Sequence, residues 1–346
     1  MSKILIIRFS ALGDVAMTVP VIYSLAVNFP MHEITVLSRQ PFKPLFQQLP
    51  DNIHFVSADL NGKHKGIAGL NLLFNELKTE KFDYVADFHS VLRSHFLRLR
   101  FILAGVSTAS IEKGRLDKKR LTQKNGKKLV PLKSSFTRYY EVLEKLGFEF
   151  NVNFDTIFRS ETPEIPEITT QIGRKDDLKW LGIAPFAKHK GKIYPLELQE
   201  KVIEHFANDG RLKVFVFGGG EVEKNIINNW TKTYPTITSM VGKLNLTQEL
   251  QLMSQLDMMF SMDSANMHLA SLVNTQVVSV WGATHPFAGF MGWNQSTDNA
   301  IQLDLPCRPC SIYGQKPCFR KDYACLYQIT PETIIHRIEN ALFLHK

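Results

Sequence analysis

Apolar residues follow two rhythms along this chain: short unbroken runs, and longer stretches spaced for one face of a helix. Lys3–Arg8, Glu33–Leu37, His54–Ser57 and Tyr84–Phe88 are short apolar runs that read as buried strands. Asp14–Asn28, Phe42–Gln48 and Gly66–Glu80 alternate with them at helical spacing. Val15, Val19, Ile22 and Ala26 can share one helix face, and Pro20 inside that segment predicts a kink. Such alternation predicts a parallel sheet with crossover helices.

Ser160–Thr170, with three acids and two prolines, reads as a linker or edge segment. The alternation then resumes. Strands are predicted at Trp180–Ala184, Lys213–Phe217, up to Ser261 and over Gln276–Trp281. Helices are predicted at Leu196–Asn208, Glu221–Tyr234, Gln248–Ser254 and from about Met267 to Val273. The chain thus divides into a Rossmann-like domain over 1–165, a second over 171–330, and a last helix within 331–346 expected to pack back towards the first domain. Thr330, Pro331 and Glu332 supply that helix with an N-cap, a first-turn proline and a first-turn acid. Ligands of such sheets sit at the carboxyl ends of strands, so two facing domains predict a cleft.

Bulk composition narrows the partners. The 346 residues exceed one ordinary hydrophobic core. A net charge of +8 favours anionic partners such as nucleotides, phosphorylated lipids or an acidic membrane face. No run approaches the ~20 apolar residues that span a bilayer, and Ile4–Ile7 is too short for a signal-peptide core. A cytoplasmic location with reduced thiols is expected.

The chemistry concentrates in turns after strands. Met262-Asp263-Ser264-Ala265-Asn266 joins a strand to a helix, leaving backbone N–H groups for a phosphate. Asp263 and Ser264 can also hold sugar hydroxyls, and His268 is a structural or a catalytic residue of the same turn. After the first strand, Ser10-Ala11-Leu12-Gly13-Asp14 places a carboxylate at a helix start; Asp14 is either a helix cap or a general base. Lys188, Lys190 and Lys192 with His189 suit a diphosphate or form a solvated loop. Gly218-Gly219-Gly220 permits close nucleotide approach, with Glu221 and Glu223 near enough for ribose hydroxyls; an ordinary strand-to-helix turn fits equally.

The stretch from Lys113 to Lys133, preceded by Arg93, holds nine Lys or Arg residues and one acid. It reads as a solvated loop or as a contact for an anionic acceptor or lipid surface. Nucleic acid is not expected, because no nucleic-acid module surrounds it. Cys307, Cys310, Cys318 and Cys325 fall in one segment and are reduced thiols, disulfides or a small structural zinc site.

Taken together, these motifs resemble the ADP-heptose:lipopolysaccharide heptosyltransferases, glycosyltransferase family 9, over nearly the whole chain. The resemblance rests on Ser10-Ala-Leu-Gly13-Asp14, Lys192-Ile-Tyr-Pro195, Asp263-Ser-Ala-Asn-Met-His268-Leu269, Gly282-Ala-Thr284 and Gly242-Lys-Leu244-Asn-Leu246. Ala265 stands where the family has glycine, Tyr194 where it has tryptophan, and Ala184-Pro-Phe186 lacks the common Pro-Gly pair. The resemblance implies the α/β GT-B fold and an inverting, metal-independent transfer of heptose to a lipopolysaccharide inner-core acceptor. It makes Asp14 the base, with Ser10 and Gly13 beside the acceptor. Lys192 and Lys188 would hold the ADP phosphates, Leu244 would line the adenine pocket, and Asp263, Ser264, Ala265 and His268 would hold the donor. Arg93, Lys118, Lys119 and Arg120 would face a phosphorylated, lipid-linked saccharide at the inner face of the inner membrane. Another nucleotide-sugar donor for cell-surface glycan synthesis, or a non-catalytic nucleotide-sugar-binding protein, are the alternatives.

Overall fold

The computed structural model describes residues 1–158 and 177–344. The Ser160–Thr170 linker lies outside them. The chain forms two compact units.

The first unit takes in Met1–Gly114 and the described residues from Lys133 on. Its five strands are β1 (Lys3–Ile7), β2 (Glu33–Ser38), β3 (Ile53–Ser57), β4 (Tyr84–Asp87) and β5 (Ser107–Ser110). They make a parallel sheet in the order β3-β2-β1-β4-β5. Central β1 is buried on both faces from Ile4 to Ile7, as its unbroken apolar run requires. One face packs against Leu73, Phe74, Leu97 and Phe101 of the helices Gly66–Lys78 and Leu92–Leu103. Pro20 causes no kink. The segment splits into Leu12–Ala16 and Val19–Asn28, and Pro20 falls in the first turn of the second helix, where a missing N–H costs no bond.

The second unit has six strands: β6 (Lys179–Ala184), β7 (Leu212–Val216), β8 (Ile237–Ser239), β9 (Met258–Met262), β10 (Val277–Val280) and β11 (Ala300–Ile301). Their order is β11-β10-β9-β6-β7-β8, all parallel. The final helix, Pro331–Glu339, departs from expectation by packing within this unit. Ile334 and Ile338, one turn apart, join Val202, Ile203 and Phe206 of the helix Leu196–Ala207 in one core.

A second correction concerns the basic stretch. Arg115–Leu132, placed by the sequence in the first domain, belongs to the second unit. Leu121, the buried residue of the charged helix Arg115–Thr122, packs with Ala288 and Ile312. Leu132 N–H donates to Phe287 O at 2.9 Å, and Lys127 Nζ donates to Pro309 O at 3.0 Å. A Leu→Ala change in such a site costs about 2–5 kcal/mol. Leu121→Ala is therefore expected to release this segment, so that limited trypsin digestion cuts between Lys118 and Lys128 more than about tenfold faster than in the parent. Equal cutting rates would show that Leu121 does not anchor it.

Candidate functional site

In each sheet, strand order reverses at one place: between β1 and β4, and between β6 and β9. Loops leaving the two strands there diverge to opposite sides and open a crevice at their carboxyl ends. Asp14 and His89 follow β1 and β4; Lys192 and Asp263 follow β6 and β9.

In the second unit, Lys192 Nζ lies 2.9 Å from Asp263 Oδ2. The Asp263 side chain is 2% exposed and that of Lys192 16%. Removing one member of such a pair strands a buried charge, at a cost of about 3–5 kcal/mol. Backbone bonds fix both residues. Asp263 N–H donates to Val280 O at 3.2 Å, and Ala283 N–H donates to Gly191 O at 2.8 Å. Glycine is required where these segments meet, since a Cβ on Gly282 would lie 2.7 Å from Gly191 O. Tyr194, fully buried, donates its hydroxyl to Ile329 O at 2.7 Å; that bond is the use this chain makes of tyrosine where the resembling family has tryptophan. Burial pushes its phenol above the usual tyrosine range.

Ser264 stands at the N-cap position of the helix Ala265–Leu272 with an extended backbone and no side-chain cap bond, and its Oγ lies 3.2 Å from Ser261 Oγ. Ala265 opens the helix proper, so the turn asks for no left-handed residue there. His268 is buried inside the helix. Leu244 is half-buried just before the Asn245 cap of the helix Leu246–Gln255. Glu223 turns back to accept Gly219 N–H at 2.7 Å, capping its own turn. Glu221 is exposed, 3.8 Å from Lys224. Lys188 stays exposed on its loop.

In the first unit, Asp14 sits in the first helical turn. Its Oδ2 accepts Ala11 N–H at 3.1 Å, so the capping role is real. Its Oδ1 lies 3.0 Å from Arg8 Nη2, and the side chain remains 36% exposed. Arg8 donates from Nη1 to Phe88 O at 2.8 Å. Tyr139 stacks on Phe88 and donates its hydroxyl to Asp14 O at 3.3 Å. His89 Nδ1 accepts Phe9 N–H at 3.3 Å, which leaves the ring proton on Nε2, 3.5 Å from Ser10 Oγ. Burial, with Arg8 and Lys113 nearby, lowers the His89 pKa to about 3, so the ring is neutral near pH 7. Arg8, His89 and Tyr139 are site residues that motif reading passed over. A signal existed for Arg8, a charge set directly after an apolar strand.

The remaining predicted residues separate. Arg93 is exposed at the start of Leu92–Leu103. Lys118 is held over the Phe290 and Tyr313 rings, and Arg120 pairs with Asp117 at 3.4 Å. Lys119, Lys124, Lys316, Cys307 and Cys310 line a cavity of about 330 Å³. The four cysteines are free thiols, and among the described residues no three His, Cys, Asp or Glu side chains converge on a metal site. Burial pushes the Cys325 thiol up to about 12 and also raises Cys310. This segment has another use: buried Arg308 donates to the carbonyls of Trp281, Gly282 and Thr284, and Cys310 and Ser311 N–H donate to Ala283 O. It laces the strand end that carries Gly282-Ala-Thr284.

Comparison with known proteins follows the same lines. The pattern of glycosyltransferase family 9 (heptosyltransferase) matches residues 71–318, a span that includes Lys192 and Asp263 and begins after Asp14. Lipooligosaccharide heptosyltransferase 2 of Campylobacter jejuni is 25% identical over 170 residues, 48% of this chain and 52% of that protein. The chain thus aligns with about half the length of that relative. Lipopolysaccharide heptosyltransferase 3 of Escherichia coli is 25% identical over 305 residues, covering 84% of this chain and 85% of that one. The solved structure of E. coli heptosyltransferase WaaC with ADP-2-deoxy-2-fluoro heptose aligns at a TM-score of 0.69 and 15% identity, covering 98% of this chain and 99% of that one. The fold is therefore that of the GT-B heptosyltransferases. With the family pattern covering most of its length, this chain belongs to glycosyltransferase family 9, the heptosyltransferases, and is a glycosyltransferase.

Proposed function

We propose that this enzyme moves a heptose from ADP-heptose to a saccharide of the lipopolysaccharide inner core, with inversion and without a catalytic metal. The observation that carries this reading is the buried Lys192–Asp263 pair at the β6/β9 reversal. It presents one cation to an incoming diphosphate, beside a helix N-terminus and a carboxylate. The relative WaaC was solved with an ADP-linked fluoroheptose, which supports ADP as the carrier.

Asp14 acts as the base. It takes the proton of the acceptor hydroxyl as that oxygen attacks the anomeric carbon. The bond from that carbon to the β-phosphate oxygen breaks on the opposite side, and ADP leaves with its electron pair. Lys192 and the N–H groups after Asp263 stabilise the departing charge, which is why no metal is required. Asp263 also holds donor-sugar hydroxyls, with Ser264, Ala265 and His268 forming that wall. Glu221 takes the ribose and Leu244 lines the adenine side, while Glu223 serves its own turn. Arg8 holds Asp14 in position through the 3.0 Å ion pair. Ser10, Gly13 and Arg93 of the first unit face a phosphorylated, lipid-linked acceptor at the cytoplasmic face of the inner membrane. Lys118 and Arg120, already engaged by aromatic rings and by Asp117, leave the acceptor set.

Three outcomes are expected. With EDTA present, the parent enzyme turns over normally, while Asp14→Asn loses at least about a hundredfold in kcat with donor affinity within about twofold; near-normal turnover of the variant would dismiss the base. Lys192→Ala weakens ADP binding by about tenfold or more in calorimetry and lowers the melting temperature by stranding Asp263. Unchanged ADP affinity would return the phosphate role to Lys188 or Lys190. His89 supplies a pH test. Its folded pKa, about 3, lies below the ordinary 6.5, so its contribution is complete above pH 6.5 and declines as pH falls towards 3. His89→Asn keeps an acceptor for Phe9 N–H and should flatten the fall of melting temperature over that window; parallel curves would refute the buried neutral ring.

A further inference from the structure

The helix Leu92–Leu103 has two apolar faces. Leu97 and Phe101 point into the core of the first unit. On the opposite side, Leu92 is 88% exposed, Leu99 55%, Ile102 48% and Leu103 76%. At about 100° per residue, Leu92, Leu99 and Leu103 fall within about 40° of one another. They form one outward stripe, bordered by Ile102. A scattered exposed leucine needs no explanation, but a stripe along a surface helix does.

Its charge says what covers it. The helix carries Arg93, Arg98 and Arg100 and no acid. Arg98 points inward, 4.0 Å from buried Asp87. Arg93 and Arg100 flank the stripe about 80–100° from its centre. Arg93 is exposed; Arg100 is braced over the Phe74 ring at 4.5 Å. On the neighbouring helix Gly66–Lys78, Ile67 is 76% exposed. Leucines pointing out of a helix, arginines beside them and no carboxylate among them match the boundary between acyl chains and anionic headgroups.

The helix is also tied to the candidate site. Ser90 O accepts Lys113 Nζ at 2.8 Å, Ser90 Oγ lies 3.0 Å from His95, and Asp87 Oδ1 accepts the N–H groups of His89 and Ser90. One short loop therefore joins His89, beside Ser10, to the start of the striped helix.

We propose that the Leu92–Leu103 face docks the first unit on an anionic phospholipid bilayer, holding Ser10 and Asp14 next to the surface that displays the lipid-linked acceptor. The docking surface is argued from exposure and charge; its use in catalysis rests on the transferase reading above.

Co-sedimentation with vesicles tests it without any activity. The parent should bind vesicles containing about 30% phosphatidylglycerol and bind neutral phosphatidylcholine vesicles far less. Leu99→Asp with Leu103→Asp should lower binding by about tenfold or more at an unchanged melting temperature, since both side chains are solvated. Arg93→Gln should lower it about fivefold on anionic vesicles only. The leucine variant should lose transfer to a vesicle-embedded acceptor and keep transfer to the delipidated saccharide. Vesicle binding equal to the parent's would overturn the proposal, as would a parent that binds neither vesicle. A leucine variant that turns a dimer into a monomer with vesicle binding intact would assign the stripe to self-association. Failure of the parent to transfer to the delipidated saccharide would sink the transferase reading and leave the vesicle result standing.

Discussion

Parallel strands buried on both faces force every functional group in this protein to the strand ends, and the reversal of strand order decides which ends. Among the described residues, β1/β4 and β6/β9 are the only neighbouring strand pairs in their sheets at which the strand order reverses, so that their outgoing loops leave on opposite sides. Each reversal holds a carboxylate paired with a cation. Arg8 with Asp14 serves the first unit, and Lys192 with Asp263 the second. Neither pair could sit within a strand, where burial would strand the charge among valines and isoleucines.

The surroundings of the second pair show how much structure a positioned charge needs. Gly191, Gly282 and Gly314 let three loops approach at backbone distance; a Cβ at Gly191 would meet Gly314 O at 2.9 Å. That approach buries the carbonyls of Trp281, Gly282 and Thr284, and each must find a donor. Arg308 supplies them, with a guanidinium fork that a lysine could not match. The cysteine-rich segment thereby has a structural part in the second unit, through Arg308. Burial comes first in raising the thiols of Cys310 and Cys325.

What the sequence reveals here follows from what is local. The strands from β1 to β4 and from β6 to β10 show as apolar runs, apart from three-residue β8; for all of these but the partly exposed edge strand β3, burial on both faces leaves no alternation to misread. Asp14, Lys192 and Asp263 show because each stands in a turn after such a run. The helix Leu92–Leu103 escapes because Leu97 and Phe101 point in while Leu92, Leu99 and Leu103 point out, so no single face stands clear. His89, Tyr139 and Arg308 escape because the partners Phe9, Asp14 and the Trp281–Thr284 carbonyls lie 24 to 125 positions away, and Arg8 is read as a strand end although its partner Asp14 is close in sequence. The basic stretch misleads for a related reason: Leu121, one apolar residue among many charges, decides which unit the segment joins.

The two ion pairs differ in which member is exposed, and the difference supports the proposed chemistry. Asp263 is almost wholly buried, with backbone and Lys192 fixing it, so it is suited to hold charge in place. A base must meet a proton that arrives with the acceptor, and so must keep part of its carboxylate open. Asp14 is 36% exposed, while Arg8 beside it is 10% exposed and anchored on Phe88 O. The cation is the rigid member of the first pair, and the carboxylate is the rigid member of the second. In the second pair the more accessible group is Lys192, the one proposed to meet the diphosphate. Each unit thus exposes one partner of its pair and buries the other, an arrangement that fits the proposed division of acceptor deprotonation to the first unit and leaving-group stabilisation to the second.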